Sequence, residues 1–169
     1  MTKESNTDLR RVVLGIGSNK GDSPGIIREA IRELGEILQH IQTASLYKTD
    51  PVGVTDQPAF LNTAVSGFYS GTPDSLLLTL HRIESSYGRN RSMERRWGER
   101  SLDIDMLLFG NLIVDSPDLQ IPHPRLKERA FALVPLLELE PDAQDPLTGS
   151  LYRDIFAKLP EQGVMRHRG

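Results

Sequence analysis

Asp103-Ile104-Asp105, set within Leu-Asp-Ile-Asp-Met-Leu-Leu-Phe, carries the strongest chemical signal in the chain. On a strand, side chains two apart share a face, so both carboxylates point one way and Ile104 points the other. The apolar residues that follow suggest a largely buried strand. Two adjacent buried carboxylates repel each other, at a cost that a cation must offset. Oxygen-ligated divalent ions, typically Mg²⁺, meet that need. Two surface aspartates on a half-exposed strand would show the same spacing, and the motif by itself leaves both explanations open.

Immediately upstream, residues 89–100 read Arg-Asn-Arg-Ser-Met-Glu-Arg-Arg-Trp-Gly-Glu-Arg. Five arginines against two glutamates give this stretch a local charge of +3 in a chain of net charge -3. It has neither helical nor strand periodicity. Arginine binds phosphate oxygens bidentately. For such a run alone a solvated charged loop is the better explanation, but its position directly before the paired aspartates weakens that reading and suits a polyphosphate and its metal ions.

Other candidates are weaker singly. Glu84 borders the apolar stripe of a helix near its C-terminal end, where a negative charge opposes the helix dipole. Phe60 and Asn62 share a face if they lie on a strand, and a ring beside a carboxamide suits a flat heteroaromatic ligand. Ile121-Pro122-His123-Pro124-Arg125 holds a histidine between two stiffening prolines, followed by Arg129 and Phe131. Gly15-Ile16-Gly17-Ser18-Asn19 is a glycine-rich turn that matches neither the P-loop nor the dinucleotide fingerprint.

These residues need elements to position them. Arg11 to Gly17 reads as a buried strand. Ser23-Pro24 opens a helix whose apolar face is Ile26, Ile27, Ala30, Ile31, Leu34, Ile37 and Leu38. A second strand is expected over Gln42–Lys48, a loop over residues 49–59 and a third strand over Phe60–Tyr69. Thr72-Pro73 opens a second helix along Leu76, Leu77, Leu80, Ile83 and Tyr87, and Gly88 ends it. Leu102 to Phe109 is a fourth strand, and Gly110-Asn111 is a two-residue hairpin turn into Leu112-Ile113-Val114. A last helix is expected near Ser150–Leu159. The order β-α-β-β-α-β, plus additions, is the ferredoxin-like α+β pattern, an antiparallel sheet with helices on one face.

Composition narrows the classes. At 169 residues a single domain spanning 1–169 is expected, with 1–10 and 161–169 as loose tails. The absence of cysteine excludes a disulfide scaffold, a thiolate-ligated metal and a thiol nucleophile. No apolar run is long enough for a membrane helix, and the first residues lack a signal peptide's apolar region. A cytoplasmic protein without a membrane or nucleic-acid partner is expected, as a monomer or weak dimer.

Together the segments resemble the 6-hydroxymethyl-7,8-dihydropterin pyrophosphokinases of folate biosynthesis. The resemblance runs through Gly15–Asn19, Tyr47–Gly53, Asp56–Asn62, Arg95–Asp105 and Ile121–Arg125, with the Arg-Trp-Gly-Glu-Arg-Ser-Leu-Asp-Ile-Asp block as its most specific part. Phe60 stands where tyrosine is frequent. The resemblance implies transfer of the terminal pyrophosphoryl group of ATP to the pterin hydroxymethyl oxygen, releasing AMP. Asp103 and Asp105 would hold two Mg²⁺ ions. Arg89 and Arg100 would neutralise the phosphates and act in catalysis, with Glu84, Met106, His123 and Arg129 completing the ATP site. Phe60 and Phe131 would flank the pterin ring, while Thr49, Asp50, Val52 and Asn62 would read its edge. Trp97 would sit on a loop that closes over the site.

Two other functions compete. A Mg²⁺-dependent nucleotidyltransferase also combines Gly-Ser with paired aspartates, but there the two motifs lie close in sequence, unlike Ser18 and Asp103. A non-catalytic module could use the arginine-rich segment to bind RNA or a phosphorylated partner; the acidic total counts against it.

Overall fold

Along β1 (Arg10–Ser18), Val12, Leu14 and Ile16 alternate with Val13, Gly15 and Gly17. A strand points successive side chains to opposite faces, so each set meets a different neighbour. The structure, a computed structural model, describes residues 9–49, 58–87 and 101–167. After β1 come α1 (Ser23–Gly35), β2 (Gln39–Thr43), β3 (Tyr47–Thr49), β4 (Phe60–Tyr69), α2 (Pro73–Ser86) and β5 (Asp103–Phe109). Then follow β6 (Val114–Asp115), β7 (Gln120–Ile121), α3 (Ala130–Leu139), α4 (Tyr152–Ala157) and β8 (Met165–Arg166).

The main sheet has the order β5-β1-β4-β3-β8, with β2 also paired to β4, and every pairing is antiparallel. β2 and β3 run along the same edge of β4, Thr43 opposite Val65 and Tyr47 opposite Asn62. Counted as one interrupted strand, they complete the expected β-α-β-β-α-β order. The interruption replaces the continuous strand expected over Gln42–Lys48. Ala44 keeps its N–H on the Ala64 carbonyl at 2.9 Å, but Ser45 turns its N–H and hydroxyl to the Glu138 carboxylate of α3, at 3.1 and 2.7 Å.

Both helix starts follow local chemistry. Asp22, one residue before the expected cap, accepts from the Gly25 N–H at 3.3 Å. Thr72 and Ser75 form a reciprocal capping box ahead of α2. Ile27, Ala30 and Leu34 of α1 and Leu76, Leu80 and Ile83 of α2 pack on Val12, Leu14, Ile16, Ile104 and Met106. The end of α2 is at Ser86; Gly88 lies outside the described residues.

Helices cover the other face too, contrary to the one-sided expectation. Leu133 and Leu136 of α3, with Tyr152 of α4, pack against Val13, Ala64 and Leu107. Ala-Phe-Ala-Leu-Val-Pro-Leu-Leu-Glu-Leu has almost no polar side, so α3 offers no amphipathic period to read, and Pro135 within it argues against a helix. Gly110 makes the expected turn with φ +55°, but the strand after it does not return to β5. β6 pairs with β7 in a separate two-stranded sheet. The C-terminal segment is not loose up to residue 167. Tyr47 pairs with Arg166, and the His167 N–H donates to the Leu46 carbonyl at 2.8 Å. Among the described residues no helix is long and apolar enough to cross a membrane.

Candidate active site

Strand register sets residues from three strands side by side. Gly17 stands opposite Asp103 and Gly15 opposite Asp105 on one flank of β1. Gly17 also stands opposite Asn62 on the other flank. Directly paired residues share a face, so these five lie on the side of the sheet away from α1 and α2. The two glycines leave the floor bare. A Cβ on Gly17 would lie 2.9 Å from Asn62 Oδ1, and one on Gly15 would touch the Leu107 side chain at 3.4 Å.

Above that floor is a cavity of about 320 Å³. Its walls include Asp103, Asp105, Thr49, Phe60, Asn62, His123, Arg129 and Phe131. The aspartates, distant in sequence from the aromatic residues, therefore share one cavity with them. Asn62 is buried and donates from Nδ2 to Thr49 Oγ1 at 2.7 Å, which fixes the amide and leaves Oδ1 as an acceptor.

His123 is positioned through its backbone N–H, which donates to the Leu107 carbonyl at 3.1 Å. Its Nδ1 accepts the Arg125 N–H at 3.2 Å. Burial, then the nearby Arg129 charge, pulls the imidazole down to about 4 despite the opposing pull of Asp103. The ring is therefore neutral at pH 7, and Nε2 carries the proton as a donor. Burial also lowers Arg129, while Asp105 counteracts it. The Arg129 guanidinium lies 5.5 Å from the Phe131 ring centroid, within cation–π range.

Glu84 and Met106 are not part of the cavity wall. Glu84 is 1% exposed, and its Oε1 accepts the Ile104 N–H at 3.0 Å. It thus holds the backbone between the two aspartates from the α2 side of the sheet. Met106 alternates with Asp105 and lies in the core beneath α1 and α2. Its side chain cannot reach the cavity without a strand flip. Asp50, Val52, Arg89, Trp97 and Arg100 fall outside the described residues.

Three wall residues stand out beyond the expected set. Gly15 and Gly17 form the floor, and the signal for them was present: glycine inside a strand marks a close approach by something else. Gln162, in the supposed tail, also lines the cavity, and no sequence pattern announces it.

Among the described residues no cluster of three or more His, Cys, Asp or Glu side chains is placed to hold a metal. Asp103 and Asp105 form a two-carboxylate set in the cavity wall. Such a set fits Mg²⁺, which keeps several waters and is held by one or two carboxylates together with substrate phosphates. It does not fit a closed, all-protein metal cage.

Comparisons with known proteins identify the family. The family model described as 7,8-dihydro-6-hydroxymethylpterin-pyrophosphokinase matches residues 13–141. A 2-amino-4-hydroxy-6-hydroxymethyldihydropteridine pyrophosphokinase of Methylorubrum extorquens is 39% identical over 160 residues, covering 94% of this chain and 99% of the relative. The Pseudomonas aeruginosa protein of the same name is 36% identical, with 95% and 99% coverage. A mitochondrial folate synthesis bifunctional protein of Arabidopsis thaliana is 41% identical over 85% of this chain, which spans only 26% of that longer protein. In three dimensions, wild-type Plasmodium falciparum HPPK-DHPS with pteroate superposes with a TM-score of 0.69 at 16% identity, covering 89% of this chain and 42% of that one. At that identity the superposition speaks for the fold alone.

Proposed function

The chain belongs to the 7,8-dihydro-6-hydroxymethylpterin-pyrophosphokinase family, and from that premise we propose which of its residues carry the reaction. The reaction moves a pyrophosphoryl group from ATP to the hydroxymethyl group of 6-hydroxymethyl-7,8-dihydropterin, in folate synthesis. One observation supports the assignment of parts. A carboxylate pair and an aromatic, amide-bearing wall face each other across a glycine floor in one cavity.

The pterin occupies the end formed by Phe60, Phe131, Asn62 and Thr49. The rings cover its flat faces, and Asn62 Oδ1 accepts from its amino or ring N–H groups. Asp50 and Val52 are assigned to reading the pterin edge. The triphosphate lies toward Asp103, Asp105, His123 and Arg129. His123, neutral, donates from Nε2 to a phosphate oxygen, and Arg129 supplies positive charge. Arg89 and Arg100 are assigned to neutralising the phosphates, and Trp97 to closure over the site.

Asp103 and Asp105 would hold Mg²⁺, taken here as two ions, which when bound neutralises the triphosphate and lowers the pKa of a coordinated hydroxyl. The protein's own share is alignment and charge. Transfer to a hydroxyl needs the acceptor oxygen and the leaving group in line, with little covalent help from the protein. Two binding regions that share one cavity supply that alignment. We take the enzyme to work in the cytoplasm as a monomer or weak dimer, without nucleic-acid or membrane partners.

Incubation with Mg-ATP and 6-hydroxymethyl-7,8-dihydropterin tests the assignment. Stoichiometric AMP and pterin diphosphate are the expected products. ADP would indicate transfer of a single phosphoryl group, and absence of turnover would remove the proposal.

A further inference from the structure

Arg129 and Phe131 lie two residues apart at the start of α3 and, on the reading above, serve different substrates. That junction lacks the usual local support. Arg129 is the cap residue of α3, and it makes no side-chain capping bond. The first N–H groups of a helix need acceptors from elsewhere. Here one comes from far along the chain. Gln162 Oε1 accepts the Ala130 N–H at 2.9 Å, and its Nε2 donates to the Glu128 carbonyl at 2.8 Å. A single amide thus clamps the backbone on both sides of Arg129, and Gln162 itself lines the cavity.

The clamp is anchored in turn. Three residues on, β8 pairs with β3, the strand that ends at Thr49. The C-terminal segment therefore connects the Thr49–Asn62 wall to the Arg129–Phe131 wall. It is held at one end by backbone pairing and at the other by one side chain.

We propose that Gln162 is a positioning residue for pyrophosphoryl transfer. It holds Arg129 and Phe131 in fixed relation, so that the pterin hydroxyl and the triphosphate meet in line. The proposal rests on the placement of ATP and pterin given above. Its effect is on alignment, so it should register in the transfer step more than in either affinity.

The test is Gln162→Ala, followed in single turnover by rapid quench so that slow product release cannot hide the chemical step. Removing both hydrogen bonds is expected to slow transfer about tenfold. Affinities for Mg-ATP and for the pterin should stay within about threefold of the unmodified enzyme. Amide exchange supplies a readout independent of activity: the Ala130 N–H should lose protection, while β1 and β5 should keep theirs. An unchanged transfer rate would overturn the proposal. So would weakened binding with normal transfer, which would make Gln162 only part of the wall, or lost protection throughout the sheet, which would make it a general stability residue. If the unmodified enzyme forms no AMP, the functional assignment falls and this proposal falls with it. AMP from the unmodified enzyme with normal transfer by Gln162→Ala removes this proposal alone.

Discussion

The two faces of the central sheet are built from the same strands but are filled differently. Beneath α1 and α2, Val12, Leu14, Ile16, Ile104 and Met106 meet Ile27, Leu34, Leu76 and Leu80, and the apolar packing is continuous. On the other face, α3 covers only part of the sheet with Leu133 and Leu136. The rest is floored by Gly15 and Gly17 and edged by Asp103, Asp105 and Asn62. One face holds the strands together; the other spends stability on a cavity. β5 shows both roles within three residues, since Ile104 packs into the closed face while its neighbours on either side carry charge into the open one.

That contrast predicts different outcomes for mutations on the two faces. The largest effect is expected for Asp105→Asn, about a 10³-fold loss of transfer at saturating Mg-ATP. Its melting temperature should change little, because Asp105 lines the cavity and is not part of the apolar packing beneath α1 and α2. A marked loss of stability with normal turnover would dissolve the division between the faces. Leu80→Ala on the closed face should do the opposite. Removing a fully buried leucine costs about 2–5 kcal/mol in denaturant unfolding, with both KM values unchanged at temperatures where the protein stays folded.

Gly17→Ala is expected to fall between these. The new methyl would meet Asn62 Oδ1, so a cost of about 1–3 kcal/mol is expected, together with a raised KM for the pterin and little change for ATP. A matching rise in both KM values would mean that the floor serves the two ends of the cavity alike.

A further difference concerns pH. His123 has a folded pKa of about 4, against about 6.5 in an unfolded chain. Between those values the unfolded state binds the extra proton, so stability falls as pH drops from about 6.5 toward about 4. Above that window His123 contributes no slope. Thermal unfolding of His123→Gln without nucleotide should show a shallower decline across the same window; an unaltered slope would place the imidazole in a more solvated setting than its neighbours indicate.

Much of this was legible from local pattern. Phe60–Tyr69 is a strand over the same residues in sequence and structure, because β-branched and aromatic residues there are bounded by a proline-containing loop and a helix cap. Thr72-Pro73 starts α2 because a hydroxyl cap and a fixed φ act within one turn. The aspartates share a face because strand geometry requires it. Where reading failed, the missing information was not local. α3 has no amphipathic period, since it is nearly apolar all round. Local pattern shows Glu84 only as bordering the apolar stripe of its helix, and its acceptance of the Ile104 N–H, from a distant strand, has no local signal. Residues 161–167 looked like a tail because two-residue pairing and one bridging glutamine leave no periodic trace.

Residue type and spacing therefore settle the chemistry available: paired carboxylates, an arginine cluster, aromatic rings and no thiol. They also settle the period of each element, because φ, ψ and side-chain alternation are properties of neighbouring residues. Which residues meet is decided by register and by burial of both sheet faces, and these depend on the whole chain at once. That is why Gly17 comes to lie between Asp103 and Asn62, and why Gln162 reaches across to the start of α3. Each contact joins segments far apart in sequence, and its free energy exists only after the sheet has formed between them.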